Sequence, residues 1–383
     1  MKKRHSTTML ISLILLAVSA TLLSTMLIMR SIYGLNHPLY AETRQIQELR
    51  EIIAARYVGE YDEGELTEAA LAATVAALGD RWSHYMSPAA FEEQQLRAQN
   101  RRQGIGVTFT ECEETGGILI LEVARGSPAA YAGLVAGEII LTLEGQSTVG
   151  MDTEEIREIV HDRYGAYVTL ELQGLDGSKR TVDVAVEEFF SDPVYYEMLE
   201  DKMGYIRIAN FDATSGEGSI AAVESLVEAG AVGLIFDVRS NGGGRLAELL
   251  LLLDHLLPEG ELFIYADASG RETVYYAQSD AYVSMPMVVL VDEHAFSAAE
   301  YFAAILQERE WAYIVGQPTT GKGRTQITIP LSGGGAVRIS VSRYFTPGRV
   351  DLSETGGIVP DYPVENTDAE IDAQLNAALE LLR

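Results

Sequence analysis

A hydroxyl, an amine and a run of glycines stand in this chain where they could do chemistry together. Ser297 follows an apolar segment, Val288-Val289-Leu290-Val291, and a short turn from Asp292 to Phe296, and it opens an Ala-rich helical stretch. A nucleophile at that point has the positive end of a helix beside it, and free N–H groups where an oxyanion would form. The same residues admit a plainer reading, because Ser297-Ala298-Ala299-Glu300 is also a capping box. A serine nucleophile needs a base. His294 is near in sequence, but a tight turn points it elsewhere, and no Ser-His-Asp set suggests itself. Lys322, in Thr319-Thr320-Gly321-Lys322-Gly323, has glycines and uncharged neighbours. Burial there would lower its pKa and leave a neutral amine able to accept a proton. A solvated turn lysine is the ordinary alternative.

Two further segments bear on the site. Asp237-Val238-Arg239-Ser240-Asn241-Gly242-Gly243-Gly244 ends a strand in glycines and leads into a helix. Such a turn lets backbone N–H groups approach a ligand, or is only a turn. Gly316 to Lys322 fits the first seven positions of a phosphate-binding loop. However, Gly323 stands where Ser or Thr would hold Mg²⁺, and Gln326-Ile327-Thr328-Ile329 alternates like a strand. A nucleotide site is rejected on both counts.

The elements that must position these residues follow from the pattern. At 383 residues the chain is too long for one core, so two or three domains are expected. The net charge of −28 argues against nucleic acid as a partner. The one cysteine, Cys112, excludes an internal disulfide, and the six scattered His show no metal-ligand spacing. Neither a metal nor a cofactor is called for. Lys2, Lys3 and Arg4 precede an apolar run from Met9 to Met29, long enough to span a bilayer. The basic end predicts a cytoplasmic N-terminus, with the rest outside the cytoplasm. Val18-Ser19-Ala20 offers a cleavage site, but the apolar run continues past it, which favours an uncleaved single-pass anchor in the cell membrane.

Residues 40–100 read as helical, with Ile46, Leu49, Ile53 and Tyr57 on one face and a second helix from Leu66 to Leu78 capped by Gly79. Gly79 to Met86 reads as a turn with exposed aromatics. From about 103 short strands alternate with turns, around a helix at 152–162. From about 203 strand and helix alternate, which predicts an α/β core. The strands are placed at 205–208, 232–238, 287–291 and 313–315, and the helices at 219–228, 246–257 and 297–307. Strands return at 327–331 and 336–344, and Thr367-Asp368-Ala369-Glu370 reads as the capping box of a last helix.

Together these pieces resemble the carboxyl-terminal processing proteases, PDZ-containing Ser/Lys peptidases of peptidase family S41 related to tail-specific protease. Gly79-Asp80 through Ser83 and Tyr85-Met86, Gly104-Ile105-Gly106-Val107, Gly126-Ser127-Pro128-Ala129, Ala132-Gly133-Leu134, the turn at 237–244, and Gly321-Lys322-Gly323 with Gln326 all match family segments in order. The family's nucleophile is the middle serine of Ser-Ala-Ser-Ala-Ser-Glu, 25 residues before the lysine. Counting back from Lys322 lands on Ser297, with Glu300 as the final Glu. The flanking serines are replaced by Ala295 and Ala299, and Gly242 stands at a common proline.

The resemblance implies a multidomain α/β protein: an anchor at 1–30, a helical region at 31–98, a PDZ domain at 99–190, a Clp-protease/crotonase-like serine protease core at 191–366 and a C-terminal helix at 367–383. It implies acyl transfer by Ser297 with Lys322 as base and Gln326 orienting the lysine. Gly243 and Ala298 would furnish the oxyanion hole. Ile105, Gly106 and Val107 would bind a substrate's terminal carboxylate as its chain adds to a sheet edge. The helices at 40–100 and 367–383 resemble dimerisation elements, so a homodimer or larger homo-oligomer is expected. A catalytically inactive PDZ scaffold, and a protease using His161, His255 or His294, are the competing readings.

Overall fold

The computed structural model describes residues 7–32, 38–112, 116–278, 282–367 and 371–383. The chain divides into two compact units, Met1–Ala70 and Leu71–Arg383. The first holds helices α1 (Thr7–Ile32), α2 (Pro38–Arg56) and the start of α3 (Glu63–Ala76). Within α1, Ile11–Ile28 is long and apolar enough to cross a membrane, and those side chains are exposed. A membrane anchor and a signal sequence share these properties. On α2 and at its C-terminal end, Ile46, Leu49 and Tyr57 of the expected apolar face are exposed, and Ile53 is half-buried.

The second unit begins with a short strand, β1 (His84–Met86). A β-rich domain follows. Its six-stranded antiparallel sheet has β2 (Val107–Glu111) at one edge, paired on one side only with Ile118–Val123. Helix α4 (Thr153–His161) carries a full capping box between Asp152 and Glu155. Alternating Val168, Leu170 and Leu172 point into this domain's core with Ile120, Ile140 and Leu143.

The core sheet runs from Val194–Met198 through β3 (Met203–Ile208), β4 (Gly233–Asp237), β5 (Met287–Val291) and β6 (Tyr313–Gly316) to Tyr362–Pro363. Every pairing but the first is parallel. Strand β4 is buried along its whole length, as a parallel strand covered on both faces must be. One face packs helices α5 (Ser215–Glu228), α6 (Leu246–Leu256) and α7 (Ala298–Glu308), through Leu234, Phe236 and Val289 against Leu226, Leu253 and Phe302. The other face, with Ile235, Val288 and Leu290, meets helix α8 (Ala373–Leu382). The capping box expected at 367–370 falls largely outside the described residues. Helix α8 itself is capped by Asp372, which accepts from the Leu375 N–H at 3.0 Å.

A second sheet supports the lysine. Strand β7 (Arg324–Pro330) pairs with β8 (Ala336–Phe345), which also pairs with β1 and with Gly260–Asp267. A strand after Lys322, where a phosphate loop would need a helix, removes the nucleotide reading. Gly260–Asp267 and Glu272–Ala277 are strands that the sequence pattern did not announce.

Candidate active site

The turn before Ser297 is held by its neighbours. The Asp292 carboxylate accepts the Ser240 N–H at 2.9 Å and the His294 N–H at 3.1 Å, and the Phe296 N–H donates to the Asn241 carbonyl at 3.2 Å. Ser297 itself sits at φ 61°, ψ −122°, a region that a residue with a Cβ rarely adopts. Helix α7 begins at the next residue, yet the Ser297 hydroxyl makes no capping bond. The plain capping reading therefore fails, and the hydroxyl is left to the cleft. The strained turn aims it there, and the buried helix behind it keeps it from relaxing.

The partner of the capping box has another task. Glu300 is fully buried, and its carboxylate accepts the Gly321 N–H at 2.7 Å, the Lys322 N–H at 2.9 Å and the Thr319 hydroxyl. Burial raises its pKa against the pull of these donors. Glu300 thus ties the nucleophile's helix to the lysine's loop. Sequence reasoning matched Glu300 to a motif but missed this role. A carboxylate among the alanines of a buried helix was the available signal.

Lys322 is 4% exposed. Its ammonium lies 4.7 Å from the Trp82 ring centre and 5.6 Å from that of Phe296. Burial pulls its pKa down to about 8, and Arg338 and Arg81 push the same way while Glu300 and Asp80 oppose. The expectation of exposed aromatics at 79–86 is corrected here, because Trp82 is half-buried as the roof over the amine. Tertiary contacts put it there. The Ser340 N–H donates to the Ser83 hydroxyl at 3.0 Å, Arg81 donates to the Thr320 carbonyl at 3.3 Å, and β1 pairs with β8.

Tyr344 joins the two catalytic candidates. Its hydroxyl donates to the backbone carbonyl of Lys322, and its ring shares the wall of the cleft with Ser297. The Lys322 amine lies over the ring of Phe296, the residue before Ser297, so the two segments are neighbours. Among the described residues no hydrogen bond links the Lys322 amine to the Ser297 oxygen, since the amine rests on the two aromatic faces. Gln326 lines the same cleft as Ser297, but its amide donates to the Arg324 carbonyl at 2.9 Å and to Ser340 Oγ at 3.2 Å rather than contacting Lys322.

Gly243 lies against the nucleophile, so closely that a Cβ there would stand 2.7 Å from that of Ser297, at φ 87°. Only glycine fits this approach. Its N–H, however, donates to Asn241 Oδ1 at 2.8 Å. Asn241 is fully buried and also donates to the Ile208 carbonyl at 2.8 Å. One of the two expected oxyanion donors is thus occupied in this conformation. The Ala298 N–H heads α7, where a helix leaves its first N–H groups without intrahelical partners.

His294 is exposed, His161 lies in the β-rich domain and His255 at the end of α6. None of the three lines the Ser297 cleft. In the β-rich domain, Ile105 is buried, Gly106 has φ 85° with its Cα against Ser127, and Val107 opens the edge strand β2.

Comparison with known proteins adds to this geometry. Residues 202–364 match the model of peptidase family S41, and residues 119–174 match a PDZ domain. A carboxyl-terminal-processing protease of Synechocystis sp. is 30% identical over 330 residues, covering 83% of this chain and 77% of that protein. This chain belongs to the carboxyl-terminal processing protease family. The chloroplastic C-terminal processing peptidase of Tetradesmus obliquus is 27% identical over 321 residues, covering 79% of this chain and 69% of the relative. A solved photosystem II D1 C-terminal processing protease is 26% identical with a TM-score of 0.51, covering 88% of this chain and 90% of its own. The chain is accordingly a multidomain α/β serine peptidase acting on protein substrates, with a PDZ domain and an S41 core. Ser297, Lys322, Gln326, Gly243 and Ala298 all fall in the region matched to the peptidase.

Proposed function

We propose that this protease is an endopeptidase working through a Ser297–Lys322 dyad. One observation carries the reading: an uncapped serine on a strained turn follows Phe296, and the buried amine of Lys322 lies over the Phe296 ring. Neutral Lys322 swings from the aromatic faces and takes the Ser297 proton as Oγ attacks the peptide carbonyl. The Ala298 N–H receives the oxyanion, joined by the Gly243 N–H when Asn241 releases it. The lysine then returns the proton to the leaving amine, and water hydrolyses the ester. Gln326 turns from Arg324 and Ser340 to orient the amine. A pocket of about 110 Å³ beside Ser297, apolar at Leu246, Leu249 and Phe263 and polar at Gln326 and Arg338, has room for a small substrate side chain next to the scissile bond.

The edge strand β2 and the loop Ile105-Gly106-Val107 support capture of an apolar C-terminal tail by strand addition. Helix α1 serves as an uncleaved anchor, with the catalytic part outside the cytoplasm. The exposed Ile46 and Leu49 of α2, with Tyr57 at its end, support assembly into a homodimer or larger homo-oligomer. The test is cleavage of an unstructured protein bearing an apolar C-terminus. Cleavage should vanish in both Ser297→Ala and Lys322→Ala. Cleavage persisting in the lysine variant would exclude the dyad, and an inert wild type would favour a peptide-binding scaffold.

A further inference from the structure

The active-site cleft contains a cation that the mechanism above leaves without work. Arg338 lies on β8, opposite Thr328 of β7 and His84 of β1, and shares the wall of the pocket with Ser297, Gln326 and Tyr344. Its guanidinium is half-buried, yet among the described residues it donates to no acceptor and forms no ion pair. The acid acting on it is Asp212, which also interacts with Arg245 and Glu248 and whose own burial favours its neutral form. His84 and Lys322 face Arg338 as well, and both are repelled by it. A fork of donors left partly dry is costly unless a ligand accepts from it. Arg81, Arg324, Arg338 and Lys322 bring four cations to this cleft, with Asp80, Asp212 and Glu300 set among them. Arg338 shares the pocket wall with Ser297, and its field draws an anion towards the nucleophile.

We propose that Arg338 binds a carboxylate of the substrate next to the scissile bond, and so makes the enzyme prefer peptides that carry one there. This inference rests on the proteolytic reading of the cleft. A carboxylate is the peptide group that matches a planar guanidinium with two parallel bonds. Two sources supply it: an acidic side chain flanking the cleaved bond, or the chain's own terminus one or two residues beyond it.

The test uses the purified full chain and one cleavable segment in several versions: neutral and amidated, with a single acidic residue on either side of the bond, and with a free terminus one or two residues past it. Rates are taken at a pH well above 8, so that the lysine is neutral in every variant. The quantity read is the ratio of kcat/KM for carboxylate over neutral peptide. Wild type should favour at least one carboxylate version about tenfold, the gain of one charge-assisted contact. Arg338→Gln should erase that ratio, and Arg338→Lys should recover it only in part, since an ammonium lacks the fork. The favoured version identifies the source. A ratio near one in wild type, or an unchanged ratio in Arg338→Gln, overturns the assignment. Binding of the same peptides to Ser297→Ala, with and without Arg338→Gln, separates the two claims. Capture by the PDZ domain is common to both proteins, so only cleft affinity changes. Carboxylate-selective binding lost with Arg338, in a chain that cleaves nothing, would sink the protease reading and keep this one. Binding that is indifferent to Arg338 would sink this one alone.

Discussion

Replacing Lys322 with methionine should make the protein more stable while destroying its activity. The amine is almost fully buried, and burial lowers its pKa from the ordinary 10.5 of a lysine to about 8. Between these values the folded state binds fewer protons than the unfolded chain. Stability therefore rises with pH across that window, and below pH 8 the whole penalty is present. A shift of that size is worth about 3 kcal/mol at neutral pH. Methionine has similar bulk and no charge to desolvate, so Lys322→Met should gain up to about that amount at pH 7. Chemical denaturation of wild type and variant at pH 7, 8.5 and 10 reads the difference. The gap should shrink steadily as pH climbs from 8 towards 10.5. A variant no more stable than wild type at pH 7, or a gap that ignores pH, would refute the claim that burial depresses the lysine. The same shift leaves roughly 300 times more neutral amine at pH 7 than an unperturbed lysine would have. Hence kcat/KM for wild type should rise with pH and level off above about 8.

Three further outcomes follow from the structure. Asn241→Ala frees the Gly243 N–H but removes the buried donor to the Ile208 carbonyl that holds the turn in place; with the turn unbraced, kcat should fall by roughly 10- to 100-fold with little change in KM, read by steady-state kinetics. Arg239→Met leaves Asp237 buried, deprived of the guanidinium that also clamps Asp372 at 2.8 Å; a loss of about 3–5 kcal/mol should appear in denaturant unfolding, with α8 exchanging its amides sooner. Gly106→Ala drives a Cβ into the Ser127 side chain at positive φ, so affinity for an apolar C-terminal peptide should drop about tenfold or more in an anisotropy titration, while a short tail-free peptide is cleaved as before.

The one-dimensional chain contained most of the fold and the identities at the site. Strand β5 appears at the boundaries its apolar run suggests, and α5, α6 and α7 lie within a few residues of their expected limits, because hydrophobic period and flanking turns are local properties. Residue type alone left Ser297, Lys322 and the glycine turn with plainer readings, and the family resemblance, through a fixed interval, singled them out. The strands at 260–277 were not, since their stability comes from partners far along the chain.

Only the tertiary structure decided what state those residues are in. Whether Ser297 caps its helix or faces the cleft depends on a strained turn braced by Ser240, Asn241 and Asp292. Whether Lys322 is an ordinary ammonium or a base depends on Trp82, more than two hundred positions away in sequence, and on Arg338 across the sheet. Whether Gly243 can donate to an oxyanion depends on where the Asn241 amide points. Protonation, strain and donor availability are set by the dielectric and the neighbours around a group, and these exist only after distant segments have packed together.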